Sequence, residues 1–372
     1  MSVKCQVIMD ELDRIAPRYL AESWDNVGLL VGSPLQDVSN LMVALDVTGD
    51  VIKQAIATHT DMIIAHHPFI FKGIKNVRAD LPHGRLLTEL IKNDIAVYAA
   101  HTNLDIAVGG INDVLANRLH LADIEVLSSS HSDKLIKLVV FTPKSHAESV
   151  RRAISEAGAG YIGNYSHCTF ATDGVGTFLP LADTNPFIGT AGVLEQVAEV
   201  RLETVLPEKI SQRVLNAMFK AHPYEEVAYD LYPLVNDGPK IGLGRMGNLP
   251  TTKLLAVFAN DVKKMLGINW VKVAGPSDKA VRKVAVCGGS GASLIQTAAL
   301  AGADVLVTGD VKYHEAQDAV SAGIAIIDAG HFGTENVIVD HLGQYLDERA
   351  CQGKWGVEIV TDKSSKDIFN RY

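Results

Sequence analysis

Two adjacent histidines, His66 and His67, end an apolar run that begins at Met62. The next residue, Pro68, has no backbone N–H to donate to a sheet, so we expect the strand to end there. Neighbouring side chains inside a strand point to opposite faces, but at a strand end both can reach one pocket. Imidazole is the commonest protein ligand for metal ions, and this pair is best suited to one ion each. The alternative is one histidine buried in the core and one exposed to solvent.

Chemically active side chains follow three further apolar runs in the same way, namely His101, Asp105, Asp310, His314, His331 and Glu335. In open α/β sheets, ligands bind beyond the carboxyl ends of the strands. We therefore expect these residues to converge on one crevice with the histidine doublet, although they are far apart in the sequence.

The spacing of His331 and Glu335 puts both side chains on one face of a helix if Gly330 begins that helix. Alone, such a pair is more often an exposed polar face, and Asp105 alone is more often a turn residue. Taken with the doublet, however, three imidazoles and two carboxylates exceed the ligands of one tetrahedral ion. The set predicts two divalent ions bridged by a carboxylate, an arrangement used for hydrolysis.

The remaining polar residues of these loops are candidates for supporting roles. His101 is a candidate acid or base, because an unperturbed imidazole titrates near neutral pH. Asp310 and His314 are candidates for orienting the imidazole ligands through hydrogen bonds. Each has an equally good alternative as a capping or hydrogen-bonded core residue.

Two glycine-rich segments resemble nucleotide-binding loops. Gly242-Leu-Gly-Arg-Met-Gly247 matches the dinucleotide-binding pattern, but it follows a Gly/Pro segment and leads to Pro250 instead of a helix, so we reject that function. Cys287-Gly-Gly-Ser-Gly291 follows a predicted strand and precedes a helix, where its amides could hold an anion. A tight strand-to-helix turn is the simpler interpretation of the second segment, and we favour it.

The order of elements predicts an α/β domain built from both ends of the chain, with an inserted α+β domain between them. Strands and helices alternate over residues 1–130 and again over residues 236–372, which is typical of a largely parallel, covered sheet. Residues 131–235 approximate the β-α-β-β-α-β order of a ferredoxin-like module, with a connection at Asp173-Gly174. Asn236-Asp-Gly-Pro239 is predicted to be a linker.

Composition limits the classes of function. The chain has 372 residues, with 43 acidic residues against 34 basic ones and a formal charge of -9, which argues against binding to nucleic acid or anionic membranes. Its four cysteines are widely spaced, so we expect reduced thiols. The sequence shows neither a signal-peptide pattern nor an apolar run near the roughly 18 residues of a membrane span. We expect a cytoplasmic protein.

Together these motifs resemble those of the NIF-three-like family, also called the YbgI/YqfO or GTP cyclohydrolase 1 type 2 family. The matching segments run from Trp24-Asp-Asn-Val-Gly-Leu29, through both histidine motifs and Thr308-Gly-Asp310, to His331-Phe-Gly-Thr-Glu335. The central segment, with His222-Pro-Tyr-Glu-Glu226, resembles the PII/CutA-like insert of the longer members.

The resemblance implies a NIF-three-like α/β fold and a site for two divalent ions, with Zn, Fe, Mn, Co or Ni all acceptable to such ligands. In the implied site, Asp105 shares an ion with His67, His331 shares the other ion with His66, and Glu335 bridges. The resemblance also implies a toroidal homohexamer and a metal-dependent hydrolase of the GTP cyclohydrolase type, acting on a nucleotide or a cyclic amide. The alternative function is a metal chaperone or a sensor that uses its insert.

Overall fold

The computed structural model describes residues 2–370. Its strands are β1 (Val3–Lys4), β2 (Gly28–Val31), β3 (Asp37–Val38), β4 (Asn40–Ala44), β5 (Met62–Ala65), β6 (Ala96–Ala99), β7 (Ala122–Pro143), β8 (Thr169–Phe178), β9 (Glu195–Pro207), β10 (Tyr229–Leu254), β11 (Lys272–Ala274), β12 (Ala280–Ser290), β13 (Val305–Gly309), β14 (Ala325–Asp328) and β15 (Glu358–Thr361). Its α-helices are α1 (Cys5–Ile15), α2 (Gly49–Ala57), α3 (Pro82–Lys92), α4 (Thr102–Ile106), α5 (Ile111–Arg118), α6 (Ala147–Glu156), α7 (Ser211–Ala221), α8 (Leu255–Leu266), α9 (Ile295–Leu300), α10 (Tyr313–Ser321), α11 (His331–Glu335) and α12 (Val337–Gly353).

Contacts between residues divide the chain into two compact units. One unit combines the residues up to Ser130 with those from Ile241 onward, and the other is His131–Lys240. Two long strands, β7 and β10, each begin in one unit and end in the other. The α/β class predicted from the sequence is confirmed.

The larger unit has two mixed sheets with parallel strands at their centres. The first sheet has the order β15-β4-β5-β6-β2, in which β2 alone is antiparallel to its neighbour. The second has the order β11-β14-β13-β12-β10, in which β12, β13 and β14 are parallel and the flanking strands antiparallel. The carboxyl ends of seven parallel strands, four in the first sheet and three in the second, therefore supply loops to one unit.

The first sheet is covered on both faces, which explains why β5 is apolar at every position. Met62 and Ile64 belong to a core cluster with residues of α1 and α12, whereas Ile63 and Ala65 belong to another with residues of α2 and α3. This burial fixes the point at which the strand ends and the histidine doublet begins.

Along the chain, the elements of the smaller unit follow the order β7-α6-β8-β9-α7-β10. In the sheet, its strands lie in the order β10-β7-β9-β8. Residues of α6 and α7 form one core cluster with residues of β7 and β9. The identification of this unit as a ferredoxin-like, PII/CutA-like insert stays a prediction. One predicted detail is wrong: Asp173 and Gly174 lie inside β8 and pair with Val200 and Glu199 instead of forming a connection.

The predicted linker at residues 236–239 is also wrong, because these residues lie inside β10. Pairing of β10 with β7 keeps the backbone extended there, so partner strands override the turn propensity of Asn, Asp and Gly. The segment from Gly242 to Gly247 belongs to the same strand, in agreement with the rejection of a dinucleotide-binding loop.

All four cysteines are free. Across residues 2–370, none of the helices combines the length and the apolar character that crossing a bilayer requires.

Candidate metal centre

The first sheet delivers the histidine doublet to the site. The backbone N–H groups of His66 and His67 donate to the carbonyls of Ala44 and Leu45, which holds the doublet beside the end of β4. The side chain of His66 is almost completely buried, while that of His67 is 23% exposed. Asp105 reaches the same place from α4, the short helix that follows β6.

The second sheet contributes one short helix. After β14, Gly330 adopts a left-handed φ of 77°, and α11 begins directly at His331, so the predicted helix start is confirmed. Within α11 the side chains of His331 and Glu335 meet, with Nε2 3.0 Å from Oε2. The crevice between the two sheets thus receives ligands from both halves of the larger unit.

The two carboxylate oxygens of Glu335 face different ligands. Its Oε2 lies 2.9 Å from Nε2 of His67 and 3.0 Å from Nε2 of His331, and those two nitrogens are 3.3 Å apart. Its Oε1 lies 3.8 Å from Nε2 of His66, which is 3.6 Å from Oδ1 of Asp105. The candidate ligands therefore form two groups that meet at Glu335.

Which residues would share an ion stays a prediction, and the distances favour other pairings than the family resemblance implied. Oδ1 of Asp105 lies 3.6 Å from Nε2 of His66, and Nε2 of His331 lies 3.3 Å from Nε2 of His67. The reason lies in how each ring is held. Nδ1 of His66 donates to the carbonyl of Ala100 at the end of β6, which turns the ring toward α4.

Every imidazole of the cluster has its Nδ1 held by an acceptor. Besides Ala100, the acceptors are carboxylates: Asp46 holds His67 at 2.7 Å, Asp310 holds His331 at 2.7 Å, and Asp25 holds His101 at 2.9 Å. A ring that donates from Nδ1 keeps the lone pair of its neutral form on Nε2. The rings are therefore fixed with their ligating nitrogens toward the centre of the cluster.

Three buried atoms of the cluster form no aligned hydrogen bond within the described residues, namely His66 Nε2, Asp105 Oδ1 and Glu335 Oε2. Buried polar atoms are nearly always paired, so this concentration needs a cause. Ligands bound at about 2.0–2.2 Å to one tetrahedral ion lie roughly 3.3–3.6 Å from each other. The observed spacings of 2.9–3.8 Å lie on either side of that range, within a few tenths of an ångström, and the donor set fits divalent metal ions.

The carboxylates strongly favour positive charge in the cluster. Burial lowers the pKa of His67, but the nearby carboxylates of Asp46 and Glu335 raise it to about 10. The nearby Glu335 carboxylate raises the pKa of His331 to about 9. Burial alone would raise the pKa of Glu335, yet the three imidazoles hold it well below its usual range.

The candidates for supporting roles separate into two groups. His101 belongs to the cluster, because its ligand atom and those of His66 and His67 all lie within 4.8 Å of one another. Asp310 holds His331, as expected of an orienting residue. His314 is exposed on α10, where Nδ1 is 3.5 Å from Oε1 of Gln317, and within residues 2–370 it orients none of the imidazoles.

Sequence reasoning missed three residues that shape the site. Asp46 lies just beyond β4, separated from it by Leu45, and obeys the same strand-end pattern, so that pattern could have found it. Asp25 has no such signal, because it lies outside any strand end and reaches His101 only through the fold. Gly289 has a φ of 61°, and a Cβ atom on it would lie 2.2 Å from Oε1 of Glu335.

The cluster borders a cavity of about 1060 Å³, with His67 and His331 in its wall. Trp270 and Phe332 add aromatic surface. Five aspartates and two lysines supply its charged lining, namely Asp46, Asp50, Asp310, Asp328, Asp367, Lys272 and Lys366. Lys272 is already paired with Asp328 at 2.6 Å, so the described lining is acidic.

Comparison with known proteins assigns the family. The family model Duf34/NIF3 (NGG1p interacting factor 3) matches residues 3–367. A Bacillus subtilis protein named GTP cyclohydrolase 1 type 2 homolog is 46% identical over 368 residues, which cover 99% of this chain and 98% of that protein. A solved structure of a Bacillus cereus protein related to NIF3 has a TM-score of 0.91 and 44% identity, with 100% of this chain and 99% of that one covered. The Staphylococcus aureus protein SA1388 has a TM-score of 0.76 and 31% identity at 100% and 99% coverage. The chain therefore belongs to the Duf34/NIF3 family.

Proposed function

We propose that this protein holds two divalent metal ions, bridged by Glu335. One ion would take His66 and Asp105, and the other would take His67 and His331. The observation that carries the proposal is the position of Glu335, whose two oxygens face the two ligand sets separately. A carboxylate in this position suits a pair of ions better than a single one.

We propose further that the protein is a metal-dependent hydrolase. Two divalent ions held here would supply Lewis-acid polarisation of a substrate carbonyl, which makes its carbon electrophilic, and activation of water near neutral pH. The chain itself would bind and orient the substrate in the cavity beside His67 and His331. His101 would move a proton through Nε2, since Asp25 holds its Nδ1 at 2.9 Å and fixes the ring.

The cavity is better suited to a cyclic amide substrate than to a substrate that carries a triphosphate. Trp270 and Phe332 offer flat surface against which a ring can pack. The acidic lining would repel the several negative charges of a triphosphate. Within residues 2–370, Lys366 is the one lysine of that lining with no acid at ion-pair distance. The name of the Bacillus subtilis relative also supports the opening of a ring, although it specifies GTP.

The test combines metal analysis with turnover assays. Purified protein loaded in turn with Zn, Mn, Fe and Co is analysed for bound metal and incubated with hydantoin, dihydrouracil and GTP. We expect two ions for each chain, lost in part in His67→Ala, and metal-dependent hydrolysis of a cyclic amide. Asp50→Asn is the matched control, because Asp50 lines the same cavity but holds no imidazole. Two bound ions without turnover on any of these compounds would remove the hydrolase proposal and leave the dinuclear one.

A metal carrier is the second candidate, and the exposure of one ligand favours it. The side chain of His331 is 40% exposed, so an ion bound there is accessible from the cavity. A carrier exchanges such an ion within minutes, whereas a catalytic pair is retained. Incubation with an isotopically enriched metal, followed by rapid desalting and mass spectrometry, distinguishes the two.

A further inference from the structure

A second cavity, of about 590 Å³, lies entirely within the unit His131–Lys240 and contains none of the metal-site residues. Its volume is within the range of small-molecule sites. Aromatic rings supply much of its wall, including Phe178, Phe187 and Tyr224. Tyr224 belongs to the His222–Glu226 motif, for which the metal centre has no role.

A buried carboxylate lies in this aromatic surrounding. Glu199 on β9 is only 8% exposed, and its one hydrogen bond is accepted by Oε1 from the Tyr224 hydroxyl at 2.9 Å. Within His131–Lys240, no lysine or arginine pairs with it. His222 cannot supply the missing charge, because its Nε2 donates to the Phe141 carbonyl and its Nδ1 accepts from the backbone of Tyr224.

The wall is acidic beyond Glu199. Asp173, Glu225 and Glu226 also line the cavity, and Arg201 is its one basic residue. Arg201 is already engaged, since Nε bonds to Glu203 at 2.9 Å and the guanidinium lies 5.9 Å from the centre of the Phe141 ring. A buried carboxylate without a cation is costly, and a bound cation would offset that cost.

The absence of a side chain at Gly176 leaves room for the Glu199 carboxylate. A Cβ atom on Gly176 would lie 2.1 Å from Oε2 of Glu199, so any larger residue would displace the acid. Glu225, which also lines the cavity, accepts the backbone N–H of Asn185 at 3.1 Å. The cavity is thus a formed site with a buried carboxylate, that of Glu199, in its wall.

We propose that this cavity binds a small organic cation, an ammonium group attached to an apolar or aromatic body. The ammonium would pair with Glu199, and the body would pack against Phe178, Phe187 and Tyr224. Aromatic faces attract cations and also bury apolar surface, so this combination of rings and carboxylate recognises both parts of such a ligand.

The test uses calorimetric titration of the full-length, metal-loaded protein with benzylammonium and with benzyl alcohol, which has the same ring and no charge. We expect benzylammonium to bind at least about tenfold more tightly than the alcohol. Glu199→Gln should remove most of this difference. Glu195→Gln is the matched control, because Glu195 lies on the same strand but outside the cavity lining.

A pair of glycine variants tests the same site without changing charge. Gly176→Ala should weaken benzylammonium binding, whereas Gly174→Ala should not, because a Cβ atom at Gly174 meets nothing within 4 Å. Equal binding of the ammonium and the alcohol by the unmodified protein would overturn the proposal. Unchanged binding in a folded Glu199→Gln variant would do the same. If Glu199→Gln does not fold, two measurements still test the proposal. They are the affinities of the unmodified protein for benzylammonium and benzyl alcohol, and the benzylammonium affinities of Gly176→Ala and Gly174→Ala.

Discussion

At the scale of single residues, the site depends on the partners that hold the imidazoles. Asp46, Asp310 and Asp25 each accept a hydrogen bond from the Nδ1 of one histidine. An imidazole without such a partner would rotate and exchange tautomers, and its Nε2 would face the ions for only part of the time. The ligating residues are thus defined by a surrounding layer of carboxylates.

Asp46→Asn tests this dependence. The amide cannot hold His67 as the carboxylate does, so we expect metal affinity to fall by roughly 10–100-fold without loss of the fold. The measurement is competition with a chelator of known affinity. Asp50→Asn, which changes an exposed acid paired with Lys53, should leave the affinity unaltered. The same metal affinity in Asp46→Asn and Asp50→Asn would contradict the role assigned to Asp46.

The raised pKa values of His67 and His331 predict how metal-free protein responds to pH. Both groups go from an ordinary value of 6.5 to about 10 and about 9 in the folded state. Their contribution to the free energy of unfolding is complete below about pH 6.5, and it is lost as the pH rises through the folded values.

We therefore expect the melting temperature of chelator-treated protein to fall between about pH 7 and about pH 9. His331→Gln should flatten this dependence, whereas His314→Gln should preserve it, because His314 lies outside the cluster. A flat profile in the unmodified protein would show that the cluster does not retain these protons.

At the scale of elements, loops at strand ends control the site. An irregular part of β12, between Val286 and Ser290, lets Gly289 approach Glu335, and the Gly289 N–H donates to Oγ1 of Thr334 at 3.0 Å. The left-handed backbone and the short distance both require glycine. This segment therefore supports a candidate ligand sterically, and most of it lies inside β12 instead of forming the tight turn that the sequence predicted.

Gly289→Ala should reduce metal binding. The new Cβ atom would overlap Oε1 of Glu335, and the left-handed φ adds a cost of roughly 1 kcal/mol. Gly302→Ala separates these effects, since Gly302 has a φ of 79° but nothing within 4 Å of its Cβ position. We expect both variants to lose stability and only Gly289→Ala to lose metal, as measured by melting and by bound-metal analysis.

At the scale of the whole molecule, a buried arginine joins the two ends of the chain. Arg245 on β10 is 2% exposed and donates to the carbonyls of Gly242, Gly244 and Ala107 as well as to both oxygens of Asp113. Ala107 directly follows α4, the helix that carries Asp105. The segment that resembles a dinucleotide-binding loop is thus a structural connection.

Arg245→Met should lower the free energy of unfolding by about 3–5 kcal/mol, because it leaves Asp113 and several buried carbonyls without a partner. Urea denaturation measures the change. Arg282→Met is the control, since the Arg282 side chain is exposed and donates to the carbonyl of Pro250 alone. A loss below about 1 kcal/mol for Arg245→Met would contradict the role of this arginine.

The proposed ions would also act on the whole molecule, because their ligands come from the ends of two sheets. Metal that binds only the folded state at about 1,000 times its Kd would add about 4 kcal/mol of stability. We expect a chelator to lower the melting temperature of the loaded protein and to have no effect on Glu335→Gln. The hexamer implied by the family resemblance stays a prediction, which mass measurement in solution would check.

The sequence by itself determined the α/β class and the residue types of the candidate site. The apolar run before His66 and the helical spacing of His331 and Glu335 depend on neighbours along the chain, and local propensity and periodicity encode these directly.

The tertiary structure alone decided how those residues combine. It paired His66 with Asp105 and His67 with His331, and it brought Asp25 to His101 across 76 positions. It also extended β10 through a segment rich in turn residues. Each of these outcomes depends on packing and strand pairing between distant segments, where partner groups outweigh local preference. The spacing of residues along the sequence does not show which distant residues will be in contact.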